Sequence, residues 1–251
     1  MKWLDGAWLA EDAVVARASA PAPFETMAAV RGELPLWPRH AARLSASLQH
    51  LGLHASLPDV PAIARELLAR NGHDAGIVRV SLVREGERLR WLVTSRPRSH
   101  HPCVTLLPCV ARRPSGGPPA DHKCEPRAFY DAVLAEARAG GADDGIVVGD
   151  DGALLETAVG NLWLCCDEVW VTPPLDGRVL PGIARGLVLE RAAAHGVPVA
   201  ERRCSLSDLH RAKALMVTNA VHGPRAAHLP GQTVQELDTR LAHLWRTFVS
   251  D

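Results

Sequence analysis

In chain order, the residues that most narrow the choice of fold read His122-Lys123, Gly141-Ala142-Asp143-Asp144, Leu155-Glu156-Thr157, Gly160-Asn161-Leu162, Thr172-Pro173-Pro174-Leu175 and Leu180-Pro181-Gly182-Ile183-Ala184-Arg185. Lys123, in the first of these motifs, is one of very few lysines in a chain rich in arginine. Besides Lys123 the chain has only Lys2 and Lys213, against 25 arginines. A protein that otherwise uses arginine for its positive charges has kept a lysine at this position.

The chemistry of the two basic side chains gives that choice a meaning. An arginine is not deprotonated in a protein, whereas a lysine amine can lose its proton and condense with a carbonyl group to form a Schiff base. Covalent amine chemistry at Lys123 is therefore the first hypothesis for the function.

Composition excludes several classes of protein. The 251 residues are 47% hydrophobic and 22% charged with a formal net charge of zero, which indicates a globular protein and gives no reason to expect nucleic acid or a membrane as partner. No apolar run reaches the roughly 18 residues of a membrane span, and the N-terminus lacks a signal-peptide core, so we expect a cytoplasmic location. The six cysteines show no zinc spacing, and we expect no metal site.

The first half of the chain predicts a mixed set of elements. Asp5-Gly6 suits a tight hairpin turn within residues 1–10, and helices are expected at about 38–51 and 60–70. Strands are expected at about 76–84, 89–94 and 103–111, and we expect the three to form one sheet. A segment rich in proline and glycine follows, which predicts a domain boundary.

The predicted organisation is α+β in two lobes: residues 1–112 form an N-terminal lobe, 113–122 a linker and 123–251 a C-terminal lobe. Strands and helices are mixed in both halves without regular βαβ alternation, and no dinucleotide or phosphate-loop fingerprint occurs. In the C-terminal lobe we expect helices at about 127–139 and 183–194. A last helix is expected to begin at the capping box Thr233-x-x-Glu236, with Val234 on its apolar stripe.

Two further residues in the C-terminal lobe have chemical potential. Glu156 lies in an apolar stretch, where a carboxylate needs a partner such as a protonated ring nitrogen or an arginine. Gly182 precedes a predicted helix, whose exposed N–H groups can bind a phosphate or can form an ordinary loop-to-helix junction. Neither residue by itself selects a function.

Taken together, the motifs from Lys123 to Arg185 resemble those of the class IV, or fold type IV, pyridoxal phosphate (PLP) enzymes. Phe24-Glu25-Thr26-Met27 and His40-Ala41-Ala42-Arg43-Leu44 extend the resemblance upstream, so that it covers nearly the whole chain. The group includes branched-chain and D-amino acid aminotransferases and aminodeoxychorismate lyases. The resemblance implies a two-lobed α+β fold, pyridoxal 5'-phosphate as cofactor and a homodimer.

The resemblance also implies a role for each site residue. Lys123 would bind the cofactor covalently and then move protons, while Glu156 would pair with the pyridine nitrogen. Arg43 would grip the cofactor phosphate. The backbone around two pairs of residues would complete the phosphate site: Ile183, Ala184, Asn219 and Ala220. Relatives often carry a hydroxyl residue where this chain has Ala184 or Ala220, which would leave fewer side-chain donors.

The reaction is the least determined property. Thr26 resembles the threonine of aminodeoxychorismate lyases, whose hydroxyl assists proton transfer, whereas branched-chain aminotransferases tend to have glycine there. We therefore expect a lyase that makes 4-aminobenzoate and pyruvate, with an aminotransferase for branched-chain or D-amino acids as the alternative and a non-catalytic PLP-binding paralogue as a third. Against the first choice, the approach Ala20-Pro21-Ala22-Pro23 replaces the usual glycine-rich loop. Candidate cations for a small amino substrate's carboxylate are Arg127, Arg79 and Arg90.

Overall fold

The computed structural model describes residues 1–15, 20–73, 75–85, 87–99, 101–116 and 120–249. The strands are β1 (Lys2–Leu4), β2 (Ala7–Leu9), β3 (Ala22–Val30), β4 (Ala75–Glu85), β5 (Arg88–Pro97), β6 (Cys103–Arg113), β7 (Cys124–Glu125), β8 (Asp144–Gly149), β9 (Ala153–Thr157), β10 (Asn161–Cys166), β11 (Val169–Thr172), β12 (Val199–Glu201), β13 (Cys204–Ser205), β14 (Ala214–Asn219) and β15 (Gly223–His228). The helices are α1 (Trp37–His50), α2 (Val60–Arg70), α3 (Ala128–Ala139), α4 (Ile183–Arg191), α5 (Leu206–Arg211) and α6 (Thr239–Arg246).

The chain divides into two compact units. The first comprises Met1–Ser99, His122–Arg127 and Phe248–Asp251, and the second comprises His100–Asp121 and Ala128–Thr247. Both units mix helices with strands, which confirms the α+β prediction.

The first unit is built on an antiparallel sheet with strand order β2-β1-β5-β4-β3-β7. The predicted hairpin is confirmed, because Asp5 and Gly6 connect β1 to β2 with φ values of 48° and 95°, as a tight turn of this type requires. Helices α1 and α2 cover the sheet through apolar stripes that include Leu44, Leu48 and Leu67. Burial of these stripes against the sheet supplies the main driving force for folding of this unit.

The sequence patterns do not predict strand β3, which lies next to the end strand β7 and carries the candidate residue Thr26. Eight of its nine residues are buried, so its side chains lack the polar and apolar alternation by which a half-buried strand is recognised. Pro23 and three alanines weaken the strand signal further. Its seven-residue register with β4, in which Thr26 lies opposite Arg79, overrides these local preferences.

The predicted boundary between residues 112 and 113 is wrong in two respects. Strand β6, assigned to the N-terminal lobe, pairs in parallel with β8 and β15 and so belongs to the second unit. Residues 122–127, assigned mainly to the C-terminal lobe, belong to the first unit, where β7 pairs with β3. Strand pairing between distant segments decides both assignments. Of the predicted linker, residues 117–119 lie outside the described residues.

The second unit contains a mixed sheet with strand order β12-β11-β10-β14-β15-β6-β8-β9-β13. Helix α3 packs through Val133 and Ala137 against a cluster that includes Val147 and Leu155. The sheet places the ends of β9, β10 and β14 near one another, since β10 pairs with β14 so that Asn161 lies opposite Thr218. This arrangement positions the second group of candidate residues.

The predicted start of the last helix at Thr233 is wrong. Helix α6 begins at Thr239, and the side chain of Asp238 accepts a hydrogen bond from the backbone of Arg240 at 2.9 Å. Val234 is 41% exposed and lies outside the helix. Within the described residues, no helix is both long enough and apolar enough to cross a membrane.

Candidate active site

Lys123 lies in the first unit, immediately before β7. Its backbone carbonyl accepts a hydrogen bond from the amide of Phe24 at 2.9 Å, which ties the lysine to the centre of β3's N-terminal half. The Lys123 Nζ stands 4.7 Å from the centroid of the Phe24 ring. The guanidinium carbons of Arg79 and Arg127 lie 3.7 Å and 5.9 Å from the same centroid. One aromatic ring therefore gathers three basic side chains.

The environment of Lys123 favours its neutral form. Desolvation by the surrounding protein is the largest cause, and the nearby charges of Arg127, Arg43 and Arg79 add to it, while Glu25 opposes them. Together they lower the pKa of the amine from 10.5 to about 7. Among the described residues, none accepts a hydrogen bond from Nζ. The amine is thus prepared to act as a nucleophile and as a base near neutral pH.

Thr26 points to the same face of β3 as Phe24, because side chains two residues apart in a strand share a face. Its side chain is only partly buried. The structure therefore places the Thr26 hydroxyl on the face of the first sheet where Phe24 meets the Lys123 amine.

Of the two strand arginines predicted to meet a substrate carboxylate, only Arg79 lies near Lys123. The Arg79 guanidinium donates to Glu125 at 2.6 Å and to Ser81 at 3.0 Å. Arg90, on β5, lies opposite Val83 of β4 and pairs with Glu85 at 3.4 Å. Val83 lies four positions along β4 from Arg79, which is about 13 Å in a strand. Arg90 is therefore not part of the group around Lys123, because the register of the β4-β5 hairpin carries it away.

Beneath the other face of β3 lies a buried polar cluster that sequence reasoning missed. Glu25 accepts hydrogen bonds from both Nε and Nη2 of Arg43, each at 2.7 Å, and its Oε2 lies 2.7 Å from Nδ1 of His40. The Glu25 and His40 side chains are 1% and 0% exposed. Although burial raises the pKa of Glu25, Arg43 and His40 outweigh it and lower the value from 4.5 to about 2.

The charges in this cluster follow from those shifts. Burial is the largest influence on His40 and lowers its pKa, so the imidazole is neutral and donates from Nδ1 to the carboxylate. Glu25 is ionised and Arg43 is charged, which makes a buried ion pair with bidentate geometry. Glu25 could have been suspected by the argument applied to Glu156, since it also interrupts an apolar run.

In the second unit, Glu156 is buried and held by donors on both oxygens. Its Oε1 accepts from the Tyr130 hydroxyl at 2.6 Å, and its Oε2 accepts from the backbone amide of Leu180 at 3.1 Å. Arg113 donates in turn to the Tyr130 oxygen at 3.3 Å. A carboxylate fixed in this manner is suited to pairing with a protonated ring nitrogen.

The loop that holds Glu156 also leads into helix α4. The carbonyl of Leu180 accepts a hydrogen bond from the Asn161 side chain at 2.8 Å. Gly182 is the residue before the helix, and a Cβ there would lie 1.9 Å from the Asn161 Oδ1, so only glycine fits. The first intrahelical bond is donated by Gly186, which leaves the preceding N–H groups of Ile183 and Ala184 at the helix end.

A second turn lies next to that helix end. Thr218, opposite Asn161, is followed by the predicted pair Asn219 and Ala220. The Asn219 side chain accepts hydrogen bonds from the amides of Val221 and His222 at 3.1 Å and 2.9 Å. Its side chain is thus engaged within its own turn, and any contact of Asn219 and Ala220 with a phosphate stays a prediction.

The chain belongs to the amino-transferase class IV family, whose model matches residues 22–228. Its fold is that of known members. It superimposes on the branched-chain amino acid aminotransferase of Escherichia coli with a TM-score of 0.83 at 19% identity, covering 99% of this chain and 93% of that one. It also superimposes on the 4-amino-4-deoxychorismate lyase of Pseudomonas aeruginosa with a TM-score of 0.81 at 27% identity, covering both chains fully.

Curated relatives share shorter segments. The branched-chain-amino-acid aminotransferase of Escherichia coli is 34% identical over 86 residues, which is 34% of this chain and 28% of that protein. Branched-chain-amino-acid aminotransferase-like protein 2 of Arabidopsis thaliana is 30% identical over 120 residues, which is 47% of this chain and 21% of that protein. The alignments with the first three relatives span 38%, 21% and 28% of their lengths.

Pyridoxal 5'-phosphate is the cofactor of this family and hence of this chain, and a neighbour of the same fold is a PLP-bound form. The residues present fit it. The Lys123 amine has a lowered pKa and donates to no acceptor among the described residues, and the buried Glu156 carboxylate is oriented by two donors. The N–H groups of Ile183 and Ala184 lie at the N-terminus of α4, where a phosphate can bind.

Proposed function

We propose that the chain is a PLP-dependent lyase that converts 4-amino-4-deoxychorismate into 4-aminobenzoate and pyruvate, a reaction that supplies a folate precursor. The observation that carries this choice is the position of Thr26, whose hydroxyl lies on the face of β3 where Phe24 meets the Lys123 amine. The 27% identity to the Pseudomonas aeruginosa lyase over the full length of both chains supports it.

When bound, the cofactor supplies a carbonyl group for amines and a ring that withdraws electrons from the substrate. We propose that Glu156 holds the ring nitrogen protonated, and that Arg43 and the backbone at Ile183 and Ala184 bind the phosphate. Asn219 and Ala220 are proposed to add backbone donors to the same phosphate. Tyr130 keeps the Glu156 carboxylate in place from its opposite side.

The proton transfers are assigned to Lys123 and Thr26. In the lyase reaction a substrate ring carbon loses a proton, and the bond between the ring and the enolpyruvyl oxygen breaks, so that pyruvate leaves. A Lys123 amine with a pKa of about 7 can take a proton and return it at neutral pH. We propose that the Thr26 hydroxyl relays the proton toward the departing group. Arg127, one of the three basic groups at Phe24, is the proposed partner of a substrate carboxylate.

The second candidate is an aminotransferase for branched-chain or D-amino acids. The curated relatives favour it, since the aligned segments belong to branched-chain-amino-acid aminotransferases and related proteins. Glu156, Arg43 and Lys123 would have the same roles in that reaction. A non-catalytic PLP-binding paralogue is the third candidate, against which the retention of all three residues argues.

One pair of assays separates the candidates. The purified holoenzyme is supplied with 4-amino-4-deoxychorismate, and 4-aminobenzoate and pyruvate are measured. It is then supplied with branched-chain and D-amino acids, and pyridoxamine phosphate is measured. Formation of equal amounts of 4-aminobenzoate and pyruvate is expected. A clean transamination half-reaction without lyase products would refute the proposal. A protein that shows neither activity but keeps the visible absorption of bound PLP would favour the third candidate.

Two variants of Thr26 test the residue on which the choice depends. Thr26→Val keeps the shape of the side chain and removes the hydroxyl, so the lyase rate should fall by about 10²-fold, the ordinary range for loss of a proton-transfer group. Thr26→Ser keeps the hydroxyl and should retain most of the rate. Equal activity of both variants would show that the hydroxyl takes no part.

Lys123→Arg tests the covalent step. It retains a positive charge but cannot provide a neutral amine, so both the lyase activity and the visible absorption of covalently bound PLP should disappear. Lys213→Arg is the matched control, because Lys213 pairs with Glu168 on the surface. We also propose that the chain forms a homodimer, which light scattering can test.

A further inference from the structure

Glu25, His40 and Arg43 form a buried cluster in which one carboxylate has two partners. Arg43 is on helix α1 and Glu25 on strand β3, so the contact is made across the interface between helix and sheet. Both carboxylate oxygens are used by Arg43, and one of them also receives the bond from His40. The imidazole and the guanidinium both donate to the carboxylate, so Glu25 is the shared acceptor that links His40 to Arg43.

This arrangement determines which way the guanidinium faces. A guanidinium carries five N–H groups in one plane, and those that point to Glu25 come from Nε and Nη2. The edge formed by Nε and Nη2 therefore faces β3, and Nη1 points away from that strand. The Arg43 side chain is only 12% exposed, so little space remains for other rotamers.

Two effects of Glu25 on anion binding by Arg43 oppose each other. The carboxylate reduces the net charge that an incoming phosphate meets, which weakens attraction. It also holds a long, flexible side chain in one geometry, and bidentate pairs of this kind add specificity through their planarity. Orientation should dominate, because an arginine without a buried acceptor would turn toward solvent to satisfy its donors.

We propose that Glu25 and His40 are positioning residues that hold the Arg43 guanidinium in the orientation in which it binds the PLP phosphate. Glu25 acts directly through its two acceptor oxygens. His40 acts one step further away, by fixing the carboxylate through its Nδ1–H. The inference rests on the proposed function only in that Arg43 is the phosphate ligand.

A comparison of two ligands isolates the phosphate. The dissociation constants of PLP and of pyridoxal, which lacks the phosphate, are measured for the full-length protein and its variants. Arg43→Met should weaken PLP binding by about 10²-fold and leave pyridoxal binding nearly unchanged, as expected for loss of charge-assisted hydrogen bonds. Glu25→Gln should weaken PLP binding by about tenfold with the same selectivity for the phosphate.

The double variant and the histidine variants provide the controls. Glu25→Gln combined with Arg43→Met should bind PLP no more weakly than Arg43→Met alone, since Glu25 acts through Arg43. His40→Phe removes the donor and should weaken PLP binding severalfold, whereas His40→Asn places an amide donor near the Nδ1 position and should restore it. The histidine pair keeps the test open if Glu25→Gln does not fold.

Several results would overturn the proposal. Glu25→Gln with unchanged PLP affinity, or with equal losses for PLP and pyridoxal, would show that the cluster only stabilises the fold. Arg43→Met with an unchanged ratio of the two affinities would remove Arg43 as the phosphate ligand and the proposal with it. The wild-type assay for 4-aminobenzoate and pyruvate decides the proposed reaction separately, because it does not depend on these variants.

Discussion

Replacement of Arg127 by methionine should raise the pKa of the Lys123 amine and make the lysine a weaker nucleophile at neutral pH. Both side chains approach the Phe24 ring, Lys123 at 4.7 Å and Arg127 at 5.9 Å from its centroid. After desolvation, the positive charge of Arg127 is the strongest influence that lowers the pKa of Lys123. Methionine retains much of the arginine's length without the charge.

The size of the effect can be worked from these distances. Two groups at 4.7 Å and 5.9 Å from one point are at most about 11 Å apart. At an effective dielectric constant of about 20, unit charges at that largest separation repel each other by about 1.5 kcal/mol, and by more if they are closer. Because about 1.4 kcal/mol corresponds to one pH unit, Arg127→Met should move the pKa from about 7 to about 8.

The consequence for catalysis follows from the fraction of neutral amine. With a pKa of about 7, half of the Lys123 side chains are neutral at pH 7, on the order of a thousandfold more than for an ordinary lysine. At pH 7 the fraction of neutral Lys123 amine should be about fivefold smaller in the variant than in the wild type. Its rate of covalent PLP capture should fall by a similar factor near neutral pH and recover as the pH is raised.

The small number of lysines makes the measurement direct. In protein labelled with ¹³C at the lysine Cε and freed of cofactor, NMR should show three lysine signals, which Lys2→Arg and Lys213→Arg assign. The Lys123 signal should titrate near pH 7 in the wild type, and that of Lys213, whose pKa is raised by Glu168, should titrate above its ordinary range. Arg65→Met is the control, since Arg65 pairs with Glu33 on the surface of the same unit.

A Lys123 signal that titrates above pH 10 in the wild type would refute the reasoning from burial and neighbouring charge. An unchanged titration in Arg127→Met would refute the part that concerns Arg127. A shift of the same size in Arg65→Met would show that the effect is not local.

Three further predictions concern structure and stability. Gly182→Ala should destabilise the protein by about 1–3 kcal/mol in urea unfolding and weaken PLP binding, because its Cβ would meet an asparagine oxygen at 1.9 Å; Gly186→Ala in the same helix, with no atom closer than 3.8 Å, should be tolerated. Glu25 has a pKa of about 2 against an ordinary 4.5, so its contribution to stability is complete above about pH 4.5 and is lost as the pH falls toward 2. Glu25→Gln should therefore reduce the difference in unfolding free energy between about pH 6 and about pH 3, and an unchanged difference would count against the ion pair. Tyr130→Phe removes a donor from Glu156 and should lower kcat by about tenfold with little change in KM; a loss confined to KM would argue instead for a role in substrate binding.

Much of the fold could be predicted because its signals are local. The turn at Asp5 and Gly6 and the helices α1 and α2 depend on residues within a few positions, and the structure has them nearly where expected. The α+β class followed from the same patterns. The prediction for the start of α6 is wrong because Thr233-x-x-Glu236 satisfies the local capping rule although residues 233–236 are exposed and bury no apolar side chain.

The elements that could not be predicted depend on pairing between distant segments. Strand β3 is buried on both faces and so lacks the alternation that marks a strand, and its place is decided by β4 and β7. Strand β6 was recognised as a strand, yet its partners, β8 and β15, lie far along the chain. Pairing of this kind depends on the whole set of strands, which no local window contains.

The chemistry divides in the same way. Lys123, Glu156 and Gly182 could be selected from the chain alone, because a rare lysine, a carboxylate in an apolar run and a glycine before a helix are features of single positions and short motifs. The electrostatic state of Lys123 could not be predicted, since its pKa depends first on burial, then on the nearby Arg127, and then on charged residues from distant segments of the chain. The partners of Arg43 likewise appear only when α1 packs on β3 and brings Glu25 within 2.7 Å. Residue type sets which reactions are available, whereas burial and the charges assembled by packing set which of them proceeds at neutral pH.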